Sequence, residues 1–458
     1  MAHHSAHRTN LGIFDKAIAT QLITSGHTLD RKRHALPCLR GPTVWPAREK
    51  RKMHVCIVGA GITGLATAYV LQQAGYRVTV VDRGSAPAAG ASGGNGAQLS
   101  FAYVQPLADP GIWKMLPKLL TEKDSPLRFR LKADPAQWRW GLGFLQACNS
   151  ATSQASTQSL LNLAAESRMA FEQMLQQESL DCDHKIPGKL VLYPTQEALD
   201  TAAQQVALQA RMGGATQHIM NAAQVARIEP ALGSYAPRMA GAVYTPSESV
   251  VDCRVLCEQL ATLLQQRGAD MRFDTTVHGF DVQGGSIHAL RTATGVLQAD
   301  HFVLASGWDS AQHARQLGLR IAVYPLKGYS ITMDTAQQAH AAPQVSVTDT
   351  TRKVVFARIG ERLRVAGMVE IVGADTTLHT DRIASLQQST REVFPQLNQA
   401  ADVQPWTGMR PATPTGLPIT GRHSDGPSNL WLQTGHGALG LTLAFGSAQR
   451  LLQQMQTA

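Results

Sequence analysis

The sequence lacks an uninterrupted apolar run of about eighteen residues, the length that a membrane-spanning helix needs. It has only six cysteines in 458 residues, and these show neither a CxxC pair nor zinc-ligand spacing to histidine. A disulfide scaffold is therefore excluded, and free thiols are typical of a reducing, cytoplasmic compartment. The 39 glycines follow no fixed period, which excludes a collagen-like chain.

Charge is also scarce. Charged residues make up 16% of the chain and hydrophobic residues 44%, so a large core can be buried and general disorder is excluded. Most of the positive charge lies in residues 1–52, where ten lysines and arginines outnumber three acids and give a net +7 of the total +9. The rest of the chain carries only +2, which argues against nucleic acid as a partner.

Residues 1–52 mix His, Arg, Ser and Pro without apolar periodicity. They contain no apolar stretch of about 7–15 residues, which a signal peptide would need. The patterned sequence begins directly after Met53. We therefore expect residues 1–52 to be a disordered extension or the product of a misassigned upstream start, and to be dispensable for fold and activity.

Residues 55–82 have the pattern of a βαβ unit. Val55–Val58 is an apolar run typical of a buried parallel strand, and Arg77–Asp82 is a second strand that ends in an acid. Between them, Gly-Ala-Gly-Ile-Thr-Gly at residues 59–64 opens a helix that we expect to stop at Gly75. The whole context of a dinucleotide-binding fingerprint is present.

Each part of this unit has a physical role in binding a dinucleotide. Gly59 permits the tight turn, Gly61 lets the backbone approach a pyrophosphate, and Gly64 lets the helix pack closely on the strand. The helix N-terminus presents N–H groups to the phosphates. Asp82, 18 residues after Gly64, is placed to accept hydrogen bonds from ribose hydroxyls.

Three later segments favour a flavin over a nicotinamide dinucleotide. The small polar residues 91–98 are either a surface for a planar ring system or simply a flexible loop. Residues 300–306 read as a strand that runs into Gly307. Residues 434–440 read as a glycine-rich turn that opens a final helix at 441–455, whose N-terminus suits the electron-rich edge of a reduced flavin.

These motifs resemble the FAD-dependent amine oxidoreductases of the D-amino-acid oxidase superfamily, and within it the bacterial D-amino-acid dehydrogenase family. The resemblance runs from about Met53 to the last residue, and segment 91–112 departs from the family pattern. The stretches that carry it are Val55–Asp82, Tyr324–Ser330, Gly367–Gly373, Trp406–Pro411 and Thr434–Gly440.

The resemblance implies an α/β fold, with a discontinuous Rossmann-like FAD-binding domain and an α+β substrate domain that contains an antiparallel sheet. The FAD-binding domain would comprise residues 53–102, 246–312 and 405–458, and the substrate domain residues 103–245 and 313–404. In the substrate domain the sequence itself predicts helices at 159–177 and 195–212 and strands at 189–193, 321–333, 354–358 and 362–368.

The resemblance also implies non-covalent FAD and assigns its contacts to the glycine-rich segments. The cofactor-binding residues would be Val58, Gly59, Gly61, Ile62, Thr63, Gly64, Asp82, Arg83, Ser92, Gly93, Asn95, Gly96, Gln98, Gly307, Gly435, Gly437 and Leu439.

Arg410 is the main candidate for substrate binding. An amino-acid carboxylate needs a permanently charged, bidentate partner, which a guanidinium supplies. In related amine oxidases the arginine of a Gly-x-Arg-Pro segment has this role. The alternative is a structural arginine that pairs with an acid or with backbone carbonyls.

Four other side chains are candidates for the site. Tyr329 is expected to contact substrate or close the pocket, and Tyr324 either does the same or packs in the core. Lys327 lies either near the flavin or in a surface ion pair. His436, between two glycines, is expected to contact the flavin rather than abstract a proton, with a structural histidine as the alternative.

The implied activity is oxidation of a D-amino acid to a 2-oxo acid and ammonia, by hydride transfer to the flavin and without an obligatory side-chain base. A flavin oxidase or dehydrogenase for glycine, sarcosine or hydroxyproline is the alternative. The resemblance also implies a quinone or respiratory-chain acceptor. Segment 111–145 has five large aromatic residues and a local charge of +4. It is either a peripheral contact with the inner face of the plasma membrane or a buried aromatic cluster with a basic rim.

Overall fold

The computed structural model describes residues 52–113, 127–211, 213–397 and 402–458. These residues fall within one compact unit, 51–458. The predicted extension, residues 1–52, lies outside the described residues except for Lys52. The charged residues among 114–126 of the predicted membrane-contact segment also lie outside them. In the part of the chain that is described, no helix is both long and apolar enough to cross a bilayer.

The first sheet has six strands, mostly parallel, in the order β19-β20-β13-β1-β2-β9 when strands are numbered along the chain. Among the described strands of this sheet, only β19 and β20 pair in antiparallel fashion. The first strand is buried along its whole length and is apolar after its first residue, as expected of a central parallel strand. The strands are β1 His54–Val58, β2 Arg77–Val81, β9 Asp270–Arg272, β13 His301–Leu304, β19 Ile419–Gly421 and β20 Leu430–Thr434.

The largest hydrophobic core lies against this sheet and is built by four helices. These are α1 Ile62–Gln73, α3 Ser150–Gln177, α6 Cys253–Gln266 and α9 Gly440–Thr457. Helix α3 begins nine residues before its predicted start, because Asn149 caps it by accepting a hydrogen bond from the Thr152 N–H and its first turns are polar. It packs closely on α9, where a Cβ at Gly446 would lie 2.7 Å from the Ser167 nitrogen.

The second sheet has nine strands, largely antiparallel, in the order β18-β14-β17-β16-β15-β5-β7-β6, with β4 paired to β17. The strands are β4 Leu127–Phe129, β5 Lys189–Tyr193, β6 His218–Asn221, β7 Gly241–Thr245, β14 Tyr324–Asp334, β15 Ser346–Asp349, β16 Val354–Ile359, β17 Arg362–Ile371 and β18 Gln404–Ala412.

Strand β18 lies in this second sheet, although residues 405–458 were predicted to belong to the FAD-binding domain. It pairs with β14 over its full length, from Tyr324 opposite Ala412 to Thr332 opposite Gln404. After β18 the chain returns to the first sheet at β19. The pairing joins strands about eighty residues apart, so local sequence carries no sign of it.

The remaining strands form two further sheets, one of three strands and one of two. Helix α8, Thr380–Val393, packs on the second sheet, and near its end Phe356 and Phe394 meet edge to face with ring centroids 5.1 Å apart. The other helices are α2 Pro135–Ala147, α4 Gln196–Arg211, α5 Ala222–Ile228 and α7 Ser310–Gln316. The other strands are β3 Gln98–Leu99, β8 Ser249–Val250, β10 Val277–Gln283, β11 Ser286–Thr292 and β12 Gly295–Gln298.

Candidate active site

The described residues surround a cavity of about 1470 Å³. Its wall is formed by the ends of β1 and β2, the start of α1, loop 89–98, strands of the second sheet and the turn before α9. A pocket for one small ligand usually has about 300–1,000 Å³. The cavity is therefore large enough for a dinucleotide and a small substrate together.

At one end of the cavity the βαβ unit has the predicted geometry. Strands β1 and β2 are parallel, and Gly59 joins β1 to α1 with a φ of 118°. A Cβ at Gly64 would lie 1.9 Å from the Gly59 oxygen, so the helix can pack on the turn only with glycine there. The N-cap Gly61 provides no side-chain cap and the first turn of α1 holds no acid, which leaves this end suited to an anion.

Asp82 lines the cavity at the end of β2 and also fixes the turns around it. Its two oxygens accept hydrogen bonds from the Ala60 N–H at 2.6 Å and the Gly84 N–H at 2.7 Å. Next to it, Arg83 forms an ion pair with Asp309 at 2.7 Å. These contacts hold the carboxylate at the position that the fingerprint assigns to ribose recognition.

Seventeen of the twenty predicted site residues line this one cavity. The other three are Gly64, Gly93 and Gly435, which lie behind the wall and shape its turns. The fold therefore brings residues from distant parts of the sequence to one cavity.

Trp406 also lines the cavity, and the sequence analysis did not single it out. Its indole lies against Gly94 and Gly408, since a Cβ at either glycine would be 2.2 Å from a ring carbon. Loop 91–98 is held further by hydrogen bonds from Ser330 Oγ to the Gly94 oxygen at 2.7 Å and from Arg364 Nη1 to the Asn95 oxygen at 2.9 Å. The loop is therefore fixed on the second sheet. Its position two residues before the Gly-x-Arg-Pro segment is the sequence signal that could have identified it.

Arg410 projects from β18 at the cavity wall and is half-buried. Its Nη1 donates to the Met368 carbonyl at 2.8 Å, and among the described residues no carboxylate forms an ion pair with it. Burial lowers the pKa of Arg410 to about 10, which still leaves it charged at neutral pH. A guanidinium bound to one carbonyl, with no acid to neutralise it, is suited to a carboxylate ligand.

His436 lines the cavity just before α9 and is almost completely buried. Its Nε2 lies 2.9 Å from Ser447 Oγ. Burial lowers the pKa of His436 to about 4, so the imidazole is neutral at pH 7. A neutral ring bound to a serine is suited to contact with a ligand and supplies no positive charge.

The other candidates are held by the second sheet. Tyr329 lines the cavity, but its hydroxyl donates to Glu370 Oε2 at 2.8 Å. Tyr324 packs in a core beside Trp140, which was the second of its two alternatives. Its hydroxyl donates to Asp134 at 3.1 Å. Lys327 forms an ion pair with Asp375 at 3.2 Å, but its side chain is fully buried, unlike the surface ion pair that was one of its two alternatives. Strand β14 is buried at every position except Asp334, which accounts for the burial of Lys327.

The chain belongs to the DAO family of FAD-dependent oxidoreductases, whose model matches residues 54–454. It is therefore an FAD-dependent oxidoreductase, and FAD is its cofactor. The segment that contains Gly59, Gly61 and Gly64, the N-terminus of α1 and the Asp82 carboxylate fit the ADP half of that cofactor. The α/β fold, the family and FAD are confirmed.

Among its relatives, D-amino acid dehydrogenase 2 of Pseudomonas aeruginosa is 43% identical over 403 residues, which cover 88% of this chain and 94% of the relative. D-amino acid dehydrogenase 2 of Ralstonia nicotianae is 43% identical over 407 residues, covering 86% and 95%. The fold is similar to that of glycine oxidase from Bacillus cereus, with a TM-score of 0.68, 20% identity and coverage of 89% and 95% of the two chains.

Proposed function

We propose that this chain is an FAD-dependent dehydrogenase that converts D-amino acids to 2-oxo acids and ammonia. The observation that carries the proposal is Arg410, a charged group with no acid partner among the described residues, in the wall of the cavity that also contains the dinucleotide cradle. The similarity to two D-amino acid dehydrogenases supports the substrate class.

Arg410 would hold the substrate carboxylate by two parallel hydrogen bonds, while the Met368 carbonyl keeps the guanidinium in place. The apolar side chains of Leu326, Trp140 and Phe144, which line the same cavity, would exclude water from the reacting carbon. Loop 91–98, the start of α1 and Asp82 would hold FAD. When bound, FAD supplies the two-electron acceptor for the hydride from the substrate Cα.

This arrangement needs no catalytic base at the substrate Cα, because the hydrogen leaves with its electron pair. The chain's contribution is orientation: a substrate fixed by its carboxylate reacts as if it were intramolecular. The product imine then takes up water and releases ammonia. Neutral His436 fits a ligand contact in this scheme and is not required as a base.

We also propose a cytoplasmic enzyme that makes peripheral contact with the inner face of the plasma membrane and passes its electrons to a quinone or respiratory chain. Trp138 and Leu142 lie one turn apart on α2 and are 50% and 60% exposed, while Trp113 and Leu131 are 52% and 57% exposed. Exposed apolar side chains next to exposed basic ones are typical of a surface that binds anionic lipid. The basic neighbours are Lys132 and Arg139.

The aromatic cluster of this segment is divided between the surface and the core. Trp140 and Phe144 are 3% and 8% exposed and stack with centroids 5.2 Å apart. They belong to the buried cluster of the second interpretation, whereas Trp138 lies on the opposite side of α2. Membrane contact would therefore use only Trp113 and Trp138 among the aromatic residues of this segment.

Rates with an artificial dye acceptor will test the substrate class. We expect D-alanine or D-proline to reduce the dye much faster than sarcosine, glycine or hydroxyproline. D-Alanine should yield equal amounts of 2-oxo acid and reduced dye, whereas D-proline should yield a cyclic imine. Highest efficiency on sarcosine or glycine would reassign the enzyme to the alternative class. Stoichiometric hydrogen peroxide in air, without dye or quinone reduction, would make it an oxidase.

A further inference from the structure

Lys189 is a buried lysine in the cavity wall that the proposed reaction does not use. It lies on β5 and is 3% exposed. Its Nζ donates to Ser100 Oγ at 2.7 Å and lies 4.6 Å from the centroid of the Tyr103 ring. No carboxylate is within ion-pair distance of it in the described ranges. Because an ammonium has three N–H donors, this cation is only partly satisfied.

The surroundings keep Lys189 charged. Burial lowers its pKa to about 8, and the nearby Glu248 carboxylate acts in the opposite direction. Glu248 is itself buried, with Oε1 accepting from the Ala102 N–H at 2.8 Å and no hydrogen bond to Oε2 among the described residues. The Tyr103 ring adds a cation–π contact. Lys189 is therefore mainly cationic at neutral pH.

Polar atoms beside Lys189 also lack partners in the described part of the chain. Ser346 is its neighbour in register on β15, and Thr348 lies two residues further along that strand. Both hydroxyls are buried without a hydrogen bond, and Thr348 lines the cavity. Native proteins leave few such groups unpaired, so this part of the wall is built to meet a polar ligand or water.

Lys189 is connected to the two elements that the sequence analysis placed beside the flavin ring. Loop 91–98 runs through β3 directly into Ser100, the hydrogen-bond acceptor of Lys189. The Ser100 N–H in turn donates to Thr442 Oγ1 in the first turn of α9 at 3.4 Å. Thr442, Gln98 and Ser100 all line the cavity. The lysine thus adds a full positive charge near the start of α9, whose N-terminus carries a partial one.

We propose that Lys189 is an electrostatic tuning residue that raises the reduction potential of the bound cofactor. Hydride transfer brings two electrons and one proton, so reduction makes the cofactor more negative by one charge. A nearby fixed cation favours that reduced form and makes the cofactor a better hydride acceptor. Glu248 acts against it, and the balance between the two charges sets the potential. The proposal depends on the family cofactor and not on which amine is oxidised.

The test is the midpoint potential of the holoenzyme, measured by equilibration with a redox dye in the absence of substrate. Lys189→Met should weaken the preference for the reduced cofactor by about ten- to a hundredfold, a shift of about 30 to 60 mV to more negative potential for a two-electron couple. Lys189→Arg should restore most of the difference. Lys185→Met, which removes an exposed lysine outside the cavity wall, should leave the potential unchanged.

Glu248→Gln provides the opposite sign, because removing the negative charge should move the potential upward. If Lys189→Met fails to retain FAD, the midpoint potential of Glu248→Gln still tests the proposal. Unchanged potentials in FAD-replete variants, or shifts of the same sign for both, would overturn the proposal. A changed KM for particular substrates at an unchanged potential would instead assign Lys189 to substrate binding. Failure to oxidise any D-amino acid would contradict the proposed function and leave the potentials unaffected.

Discussion

Arg410 reaches across a neighbouring strand to bind Met368. The two residues lie on β18 and β17, which flank β14, and the guanidinium Nη1 is 2.8 Å from the carbonyl oxygen. Met368 lies at a β-bulge and has a φ of 63°, which is rare for a residue with a side chain. Backbone strain of this kind costs about 1–3 kcal/mol and tends to occur at functional sites. Here it presents a carbonyl to the arginine that we assign to the substrate carboxylate.

Replacing Arg410 should therefore weaken substrate binding and leave FAD binding unchanged. Arg410→Ala is expected to lower kcat/KM by about 30- to 1000-fold, since a charge-assisted bidentate pair contributes about 2–4 kcal/mol to transition-state binding. Steady-state kinetics together with the flavin spectrum will measure this. Arg254→Ala is the control, because the Arg254 side chain is 64% exposed and pairs with Glu258 on the same helix, away from the cavity wall. Unchanged efficiency in a variant with full FAD content would show that the assignment is wrong.

Gly328 lies on the strand that Arg410 crosses. A Cβ at this position would be 2.4 Å from the Arg410 Cζ, so Gly328→Ala must displace the guanidinium. We expect a loss of about 10- to 100-fold in kcat/KM, because a misplacement of about 1 Å is enough to cost that much. Gly141→Ala is the matched control, since nothing lies within 4 Å of a Cβ there. Equal efficiency of both variants would mean that the position of Arg410 does not matter.

The buried His436 should make the fold sensitive to acid. Its native pKa is about 4, whereas an unfolded histidine titrates near 6.5. Between these values the unfolded chain binds a proton that the native state excludes, so stability falls as pH drops. From pH 7 to pH 5 this residue alone should cost about 2 kcal/mol.

The comparison of His436→Gln with wild type in chemical denaturation at pH 7 and pH 5 will measure that loss. The variant should lose less stability on acidification, even if it is less stable at pH 7. His218→Gln, at an exposed histidine, should show the wild-type pH dependence. Parallel losses in all three proteins would mean that His436 is not the group responsible.

Membrane contact should depend on the exposed side of α2. The double substitution Trp138→Ser with Leu142→Ser should reduce binding to anionic vesicles by about tenfold or more, because two apolar side chains no longer enter the interface. Met169→Ser, which removes another apolar residue that is 66% exposed but on α3, should not affect binding. Flotation with anionic and neutral vesicles will measure both variants. If the wild-type protein does not float with either kind of vesicle, the proposed peripheral membrane contact is wrong.

The parts of the molecule that sequence predicts well are those specified by neighbouring residues. The βαβ unit of residues 55–82 is one of them, because strand, turn, helix and acid follow one another and each restricts the next. Arg410 was predicted from a short segment in the same way. The division of α2 between Trp138 outside and Trp140 inside also follows from helical spacing, once the helix is known.

Features that depend on distant pairing were not predicted. The bond from Arg410 to Met368 needs the order of three strands, and the membership of β18 in the second sheet needs its pairing with β14. Lys189 was missed because a single lysine in a strand is ordinary in sequence. Only the fold brings it next to Ser100 and into the cavity wall.

The most direct test of the proposed function is the anaerobic reduction of the enzyme's own flavin by single enantiomers. Mixing the holoenzyme with D-amino acids should bleach the flavin absorbance within one turnover and release one 2-oxo acid and one ammonia per flavin. The matching L-amino acids at the same concentration should leave the spectrum unchanged. Bleaching by the L-enantiomers, or by glycine and sarcosine but by no D-amino acid, would contradict the assignment of this chain as a D-amino-acid dehydrogenase.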